Sequence, residues 1–151
     1  MWGKPSLTWR RAFLSLRHNE NENQSMTAAR SIFLVEDNST IRQQLIPALE
    51  DLSSAKVMAT AETEDEAIGW LAGHKGQWDV AVVDLFLREG NGLAVVNWCN
   101  GREPHQRVVV LTNYAREDAR RRCLDAGADR VFDKSIELDE FFEFCSTDLG
   151  A

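Results

Sequence analysis

From Ser31 onward, short apolar runs alternate with segments whose apolar residues recur at helical spacing, and the pattern completes five rounds. No other feature of the chain restricts its fold so sharply. Ile32-Phe33-Leu34-Val35 is apolar at every position, the mark of a strand covered on both faces. Residues 56–60, 79–83, 107–111 and 130–132 predict four further strands. After the first run, Ile41, Leu45, Leu49 and Leu52 share one helical face. Thr63, with Glu66 three residues on, forms a capping box and opens a helix that turns Ala67, Ile68, Trp70 and Leu71 toward the core. Residues 93–99 predict a short helix after the Gly90-Asn91-Gly92 turn. Residues 116–126 predict a longer one, with Gly127 at its left-handed stop. Leu138, Phe141, Phe142 and Cys145 share the buried face of the last helix. Such alternation with short connections implies an α/β domain of (βα)5 order, a doubly wound parallel five-stranded sheet with helices on both faces. Function in these sheets gathers beyond the carboxyl ends of the strands, where strand order reverses.

Charge places the domain boundary. Residues 1–30 hold five basic and two acidic side chains, net +3, whereas residues 31–151 hold 12 basic and 22 acidic, net −10. Residues 1–30 are therefore expected to be a disordered basic and polar extension, with the polar NENENQS stretch at 19–25 its least foldable part. Residues 31–149 are expected to be the folded domain. Two other readings of the extension stay open: translation starting at Met26, and an amphipathic helix through Leu7, Arg10, Arg11, Leu14 and Arg17 used for targeting. The overall charge of −7 argues against nucleic acid as the partner. No run of 18 uncharged apolar residues occurs, so no transmembrane helix is expected. Cys99, Cys123 and Cys145 are widely spaced and odd in number, which reads as buried, reduced thiols in a cytoplasmic protein.

The strand ends carry Glu36 and Asp37, Asp84, Thr112 and Lys134. Each has an ordinary explanation taken singly: an acid after a strand caps a helix, a lysine is solvated, a threonine turns the chain. Together they form a set. Three carboxylates at one sheet edge repel one another unless a cation sits among them, and an oxygen-only donor set suits Mg²⁺. A lysine and a hydroxyl beside that metal are placed to hold an anion, so the set points to phosphoryl transfer onto a carboxylate oxygen.

The segments FLVEDN (33–38), VVDLFLREGNGL (82–93), VVLTNY (109–114) and AGADRVFDKS (126–135) resemble the receiver domain of two-component response regulators, over residues 31–147. The resemblance implies the flavodoxin-like receiver fold and Asp84 as phosphoacceptor. It further implies Mg²⁺ held by Asp37, Asp84 and the Phe86 backbone carbonyl, with Glu36 acting through a water. Lys134 would pair with the acids and then with the phosphoryl group, and Thr112 would be the switch hydroxyl. Phosphate would come from a sensor histidine kinase or a histidine phosphotransfer protein. The chain would act as a stand-alone receiver, not an enzyme on external substrates, and signal by protein contact or phosphorelay without binding DNA or membrane. A phosphorylation-independent binding module is the alternative. A haloacid-dehalogenase-like phosphatase would want a second aspartate where Phe86 stands.

Three positions depart from the family pattern. Ser135 replaces the usual proline after the lysine, Val131 stands where a switch aromatic is usual, and Asn113 follows the switch threonine. Phe132 or Tyr114 are candidates for the aromatic's role. With Val131 in that position, rearrangement is expected to centre on residues 112–116, and Arg116, Arg120, Arg121 and Arg122 are expected to form a cationic partner-docking patch or a solvated face. Trp70, Trp78 and Trp98 are expected to pack in the core.

Overall fold

The computed structural model describes residues 29–113 and 115–146. In chain order the elements are β1 (Arg30–Val35), α1 (Ser39–Leu52), β2 (Ala55–Ala61), α2 (Glu64–Gly73), β3 (Val80–Val83) and α3 (Gly92–Trp98). A short 3-10 turn (Cys99–Gly101) precedes β4 (Arg107–Thr112), α4 (Glu117–Asp125), β5 (Arg130–Asp133) and α5 (Leu138–Ser146). The strands form one parallel sheet in the order β2-β1-β3-β4-β5. This is the (βα)5 doubly wound arrangement that the alternation predicts, with the reversal of strand order falling between β1 and β3.

Strand periodicity divides the core in two. Ile32 and Leu34 of β1 join Leu45 and Leu49 of α1 and Leu138, Phe141 and Phe142 of α5 on one face. Phe33 and Val35 point the other way, toward Ala67 and Leu71 of α2, Val95 and Val96 of α3 and Cys123 of α4. Each fully buried Val, Leu or Phe contributes roughly 1.5–3 kcal/mol, which explains why β3 and the buried stretches 32–35 of β1 and 108–111 of β4 are wholly apolar. Along β5 the same alternation sends Val131 to the second face and Phe132 to the first, where Phe132 meets Phe141 and Phe144 edge-on.

Helix starts follow local chemistry. Asn38 and Asn91 each accept a backbone N–H three residues on, at 3.0 and 2.8 Å. Thr63 accepts from the Glu66 N–H at 3.1 Å, while the Glu66 carboxylate reaches back to the Glu62 N–H at 2.9 Å. Gly127, at φ +115°, ends α4 in the left-handed region as expected. All three cysteines are free and buried.

Some expectations shift. Thr112 and Asp133 close their strands rather than follow them, and Asp79 precedes β3. Ile68 is only half-buried, because α2 presents just Ala67 and Leu71 squarely to the sheet. Trp78 is buried and Trp70 stacks between Phe33 and His74. Trp98 is 37% exposed, since it ends α3 where the helix tightens into the 3-10 turn. The expectations for residues 1–28, for Tyr114 and for 147–149 lie outside the described residues.

Phe141→Ala removes a fully buried ring and should cost about 3–5 kcal/mol, clearly more than Trp98→Ala, whose ring is already 37% exposed. Urea denaturation of the two variants checks the contrast.

Candidate functional site

β1 and β3 lie side by side at the reversal of strand order, so the residues following them share one edge of the sheet. Glu36 is fixed through its N–H to the Ala61 carbonyl, and Asp84 through its N–H to the Val35 carbonyl, both at 2.9 Å. Lys134 follows β5, two strands away, with its N–H on the Thr112 carbonyl at 3.0 Å. Its side chain passes over the end of β4 and places Nζ 2.8 Å from Glu36 Oε1 and 3.3 Å from Asp84 Oδ2. Glu36 is 2% exposed and Lys134 3%. Thr112 is buried at the end of β4, beside the backbone of Lys134. Glu36, Asp37, Asp84 and Lys134 therefore meet as the sequence reading expects, with Thr112 on the neighbouring strand end.

Carboxylate oxygens of Glu36, Asp37 and Asp84 lie within 4.8 Å of one another. Burial pushes the Glu36 carboxyl from its ordinary 4.5 up to about 7; Lys134 opposes this and Asp84 reinforces it. Burial likewise raises Asp84, again against the pull of Lys134. One ammonium among three acids leaves an excess of negative charge that a divalent cation would compensate. The donor set is all oxygen, with Glu36 buried, Asp84 largely buried and Asp37 partly exposed, which fits a hard ion such as Mg²⁺.

The loop after Asp84 is tightly built. The Phe86 N–H faces Asp84 Oδ1 at 3.4 Å, Phe86 bridges to Asn91, and the Gly92 N–H bonds the Leu85 carbonyl at 2.9 Å. A Cβ at Gly92 would sit 2.1 Å from the Asp84 carbonyl oxygen, so only glycine allows α3 to start this close to Asp84. The Phe86 ring is 56% exposed. Beside it, Leu85, Phe86, Leu93, Arg116 and Arg122 line a groove of about 400 Å³.

Sequence reasoning missed the residues that brace this edge. Arg42 Nη1 donates to the Glu36 carbonyl at 2.6 Å, and Glu62 accepts from both Arg42 and Arg88 at 2.7 and 3.2 Å. Glu64 holds the Asn91 N–H at 3.0 Å. The contacts of Glu62 and Glu64 join segments 20 or more residues apart in the chain, and only the assembled sheet reveals them. At Ser135, where the family has proline, Asp133 Oδ1 accepts both the N–H and the hydroxyl of the serine, an Asx-type turn that shapes the loop without proline. Asn113 is exposed at the end of β4. Arg116, Arg121 and Arg122 are exposed as expected, but Arg120 leaves the patch: its guanidinium turns inward onto backbone carbonyls and Glu137.

Comparison with known proteins agrees with this architecture. Residues 32–145 match the response regulator receiver domain, and the chain belongs to that family. It is 33% identical over 113 residues to the photosynthetic apparatus regulatory protein RegA of Cereibacter sphaeroides, covering 75% of this chain and 59% of RegA. The chain thus spans little more than half of that curated relative. Among solved structures, the response regulator domain of Thermotoga maritima CheB shares the fold at a TM-score of 0.71 and 18% identity, over 82% of this chain and 98% of that one. The phosphorylated cyanobacterial phytochrome response regulator RcpA is similar at a TM-score of 0.62 and 25% identity, over 79% of this chain and 90% of that one.

A carboxyl whose folded value exceeds its unfolded value destabilises the fold as it ionises. The metal-free protein should therefore lose stability as pH rises from about 4.5 to about 7, and Glu36→Gln should flatten that slope. Denaturation midpoints measured across this range in a chelator check it, and saturating Mg²⁺ should oppose the loss in the parent.

Proposed function

We propose that this receiver domain accepts a phosphoryl group on Asp84 from the phosphohistidine of a sensor histidine kinase or a histidine phosphotransfer protein. The observation that carries the reading is the Lys134 ammonium bonded to both Glu36 and Asp84 within a cluster of three carboxylates. An Asp84 carboxylate oxygen attacks phosphorus, and the P–N bond breaks with its electron pair returning to the imidazole. Lys134 then shifts its contact from the carboxylate to the new phosphoryl oxygens, and the Thr112 hydroxyl bonds another of them. Asp37, Asp84 and the Phe86 carbonyl would hold Mg²⁺, with Glu36 behind them. The ion would neutralise charge on the transferring group. Water attack on the aspartyl phosphate releases inorganic phosphate and resets the site. No turnover of an external substrate is part of this reading.

Output follows from contact with a downstream protein across the α4–β5–α5 face. No DNA contact by the domain itself is proposed, in keeping with the net charge of −10 over residues 31–151. Val131 and Ser135 favour a second reading, a receiver-like binding module that works without phosphorylation.

One experiment separates the two. Incubation with Mg²⁺ and acetyl phosphate, read by intact mass, should add one phosphoryl group to the parent and none to Asp84→Asn. Equal labelling of the Asn variant would reject the site, and absence of label on the parent would favour the binding module. Asp37→Asn should abolish metal-dependent labelling while leaving the metal-free fold as stable as before or more so, because it relieves carboxylate repulsion.

A further inference from the structure

We propose that Arg120 is a positioning residue for the phosphoryl-accepting site, locking the segments that carry Thr112 and Lys134 to each other. The proposal rests on the phosphoacceptor reading above. Arg120 belongs to α4, yet its side chain makes no use of the solvent side of that helix. Nε donates to the Ala115 carbonyl at 3.0 Å, three residues after Thr112. Nη1 donates to the Val131 carbonyl at 2.9 Å, three residues before Lys134. Nη2 pairs with Glu137 Oε1, three residues after Lys134, and the same oxygen accepts the Asp133 N–H at 2.9 Å. A single guanidinium thus grips the β4–α4 loop and both flanks of Lys134.

The position of these contacts is what gives them a role. β4 and β5 are paired up to Thr112 and Asp133, and the Lys134 N–H on the Thr112 carbonyl lies one step further. Past that point the two chains separate, one toward α4 and the other toward α5. A phosphoryl group at Asp84 must be met by Thr112 and Lys134 together, so the relative placement of these two loops sets the geometry of capture. Arg120 is half-buried and its planar fork has five fixed donors, so three acceptors on different segments are held in one orientation. A lysine offers a compact, freely rotating charge and cannot span all three. Displacement of either loop by the bound group is passed to the other through the same guanidinium.

The test uses the full chain with Arg120→Met, Arg120→Lys and Glu137→Gln. Acetyl phosphate labelling with Mg²⁺ is followed by intact mass, and backbone amide shifts are recorded with and without beryllofluoride. Arg120→Met should label more slowly, on the order of tenfold. Its beryllofluoride shifts should persist at 84–86 but fade at 133–137, and Arg120→Lys should not restore them. Glu137→Gln keeps the shape of the turn and should weaken the shifts at 133–137 in the same direction, which preserves the test if Arg120→Met folds poorly. Parent-like labelling rates and shift patterns in the variants, whatever their melting temperatures, would overturn the proposal alone. A parent that takes no label would overturn the phosphoacceptor reading and this proposal with it.

Discussion

A buried ammonium held between two carboxylates is the constraint on which the rest of the structure turns. Lys134 and Glu36 are each almost wholly removed from water, and each would cost several kcal/mol to bury alone. Their attraction offsets that cost only with close contact, and the 2.8 Å separation supplies it. The lysine comes from the far side of β4, so the contact exists only when β1, β3, β4 and β5 are in register. Asp37 and Asp84 then add negative charge that no described ion pair fully answers. The edge is electrostatically unfavourable until a cation or a rearranged lysine relieves it. The two apolar layers beneath provide the stability that such an edge consumes.

That division of labour made much of the molecule readable from sequence. Strands covered on both faces must be apolar at every position, so Ile32–Val35 and the run through Val108, Val109, Val110 and Leu111 announced themselves. Strand ends are then fixed to within a residue, and the first polar groups beyond them fall at the sheet edge. Glu36, Asp37, Asp84 and Lys134 were legible for that reason. Period-two alternation also placed Val131 and Phe132 on opposite faces. Side chains that reach across the fold were not legible. Arg42, Glu62 and Glu64 act on backbone or loops supplied by other elements, and nothing in their own neighbourhoods marks them. Trp98 and Ile68 failed for a related reason: helical periodicity names a face, but the width of the buried stripe depends on how closely the helix lies on the sheet.

Arg120 shows the limit most clearly. In sequence it is one of three consecutive arginines, and a run of like charges reads as a solvated face. Its neighbours Arg121 and Arg122 are exposed, as that rule expects. Arg120 lies on the side of α4 that faces β5, where an aliphatic stem is tolerated and backbone carbonyls stand at the end of its reach. Charge patterning has no access to those acceptors, because they belong to residues 115, 131 and 137 and converge only after folding.

The departures at 131 and 135 acquire a common explanation in this light. A receiver with valine at 131 has no ring there to turn between two positions, and a β-branched side chain is restricted at χ1. The Val131 side chain is spent on the second core layer, 7% exposed. Its carbonyl remains, and a carbonyl can be tied to a neighbouring loop whatever the side chain is. Likewise Ser135 gives up proline's fixed φ, but its N–H and hydroxyl bond Asp133, whose own N–H is held by Glu137. Glu137 is in turn the anion that completes the Arg120 contact. Backbone and polar side chains from 131 to 137 therefore form one connected network around Lys134. An aromatic rotamer stores two states in one side chain, whereas a network of this kind moves as a unit or not at all. On the role proposed for Arg120, its response to charge at Asp84 would be set by the stiffness of hydrogen bonds rather than by the volume of a ring.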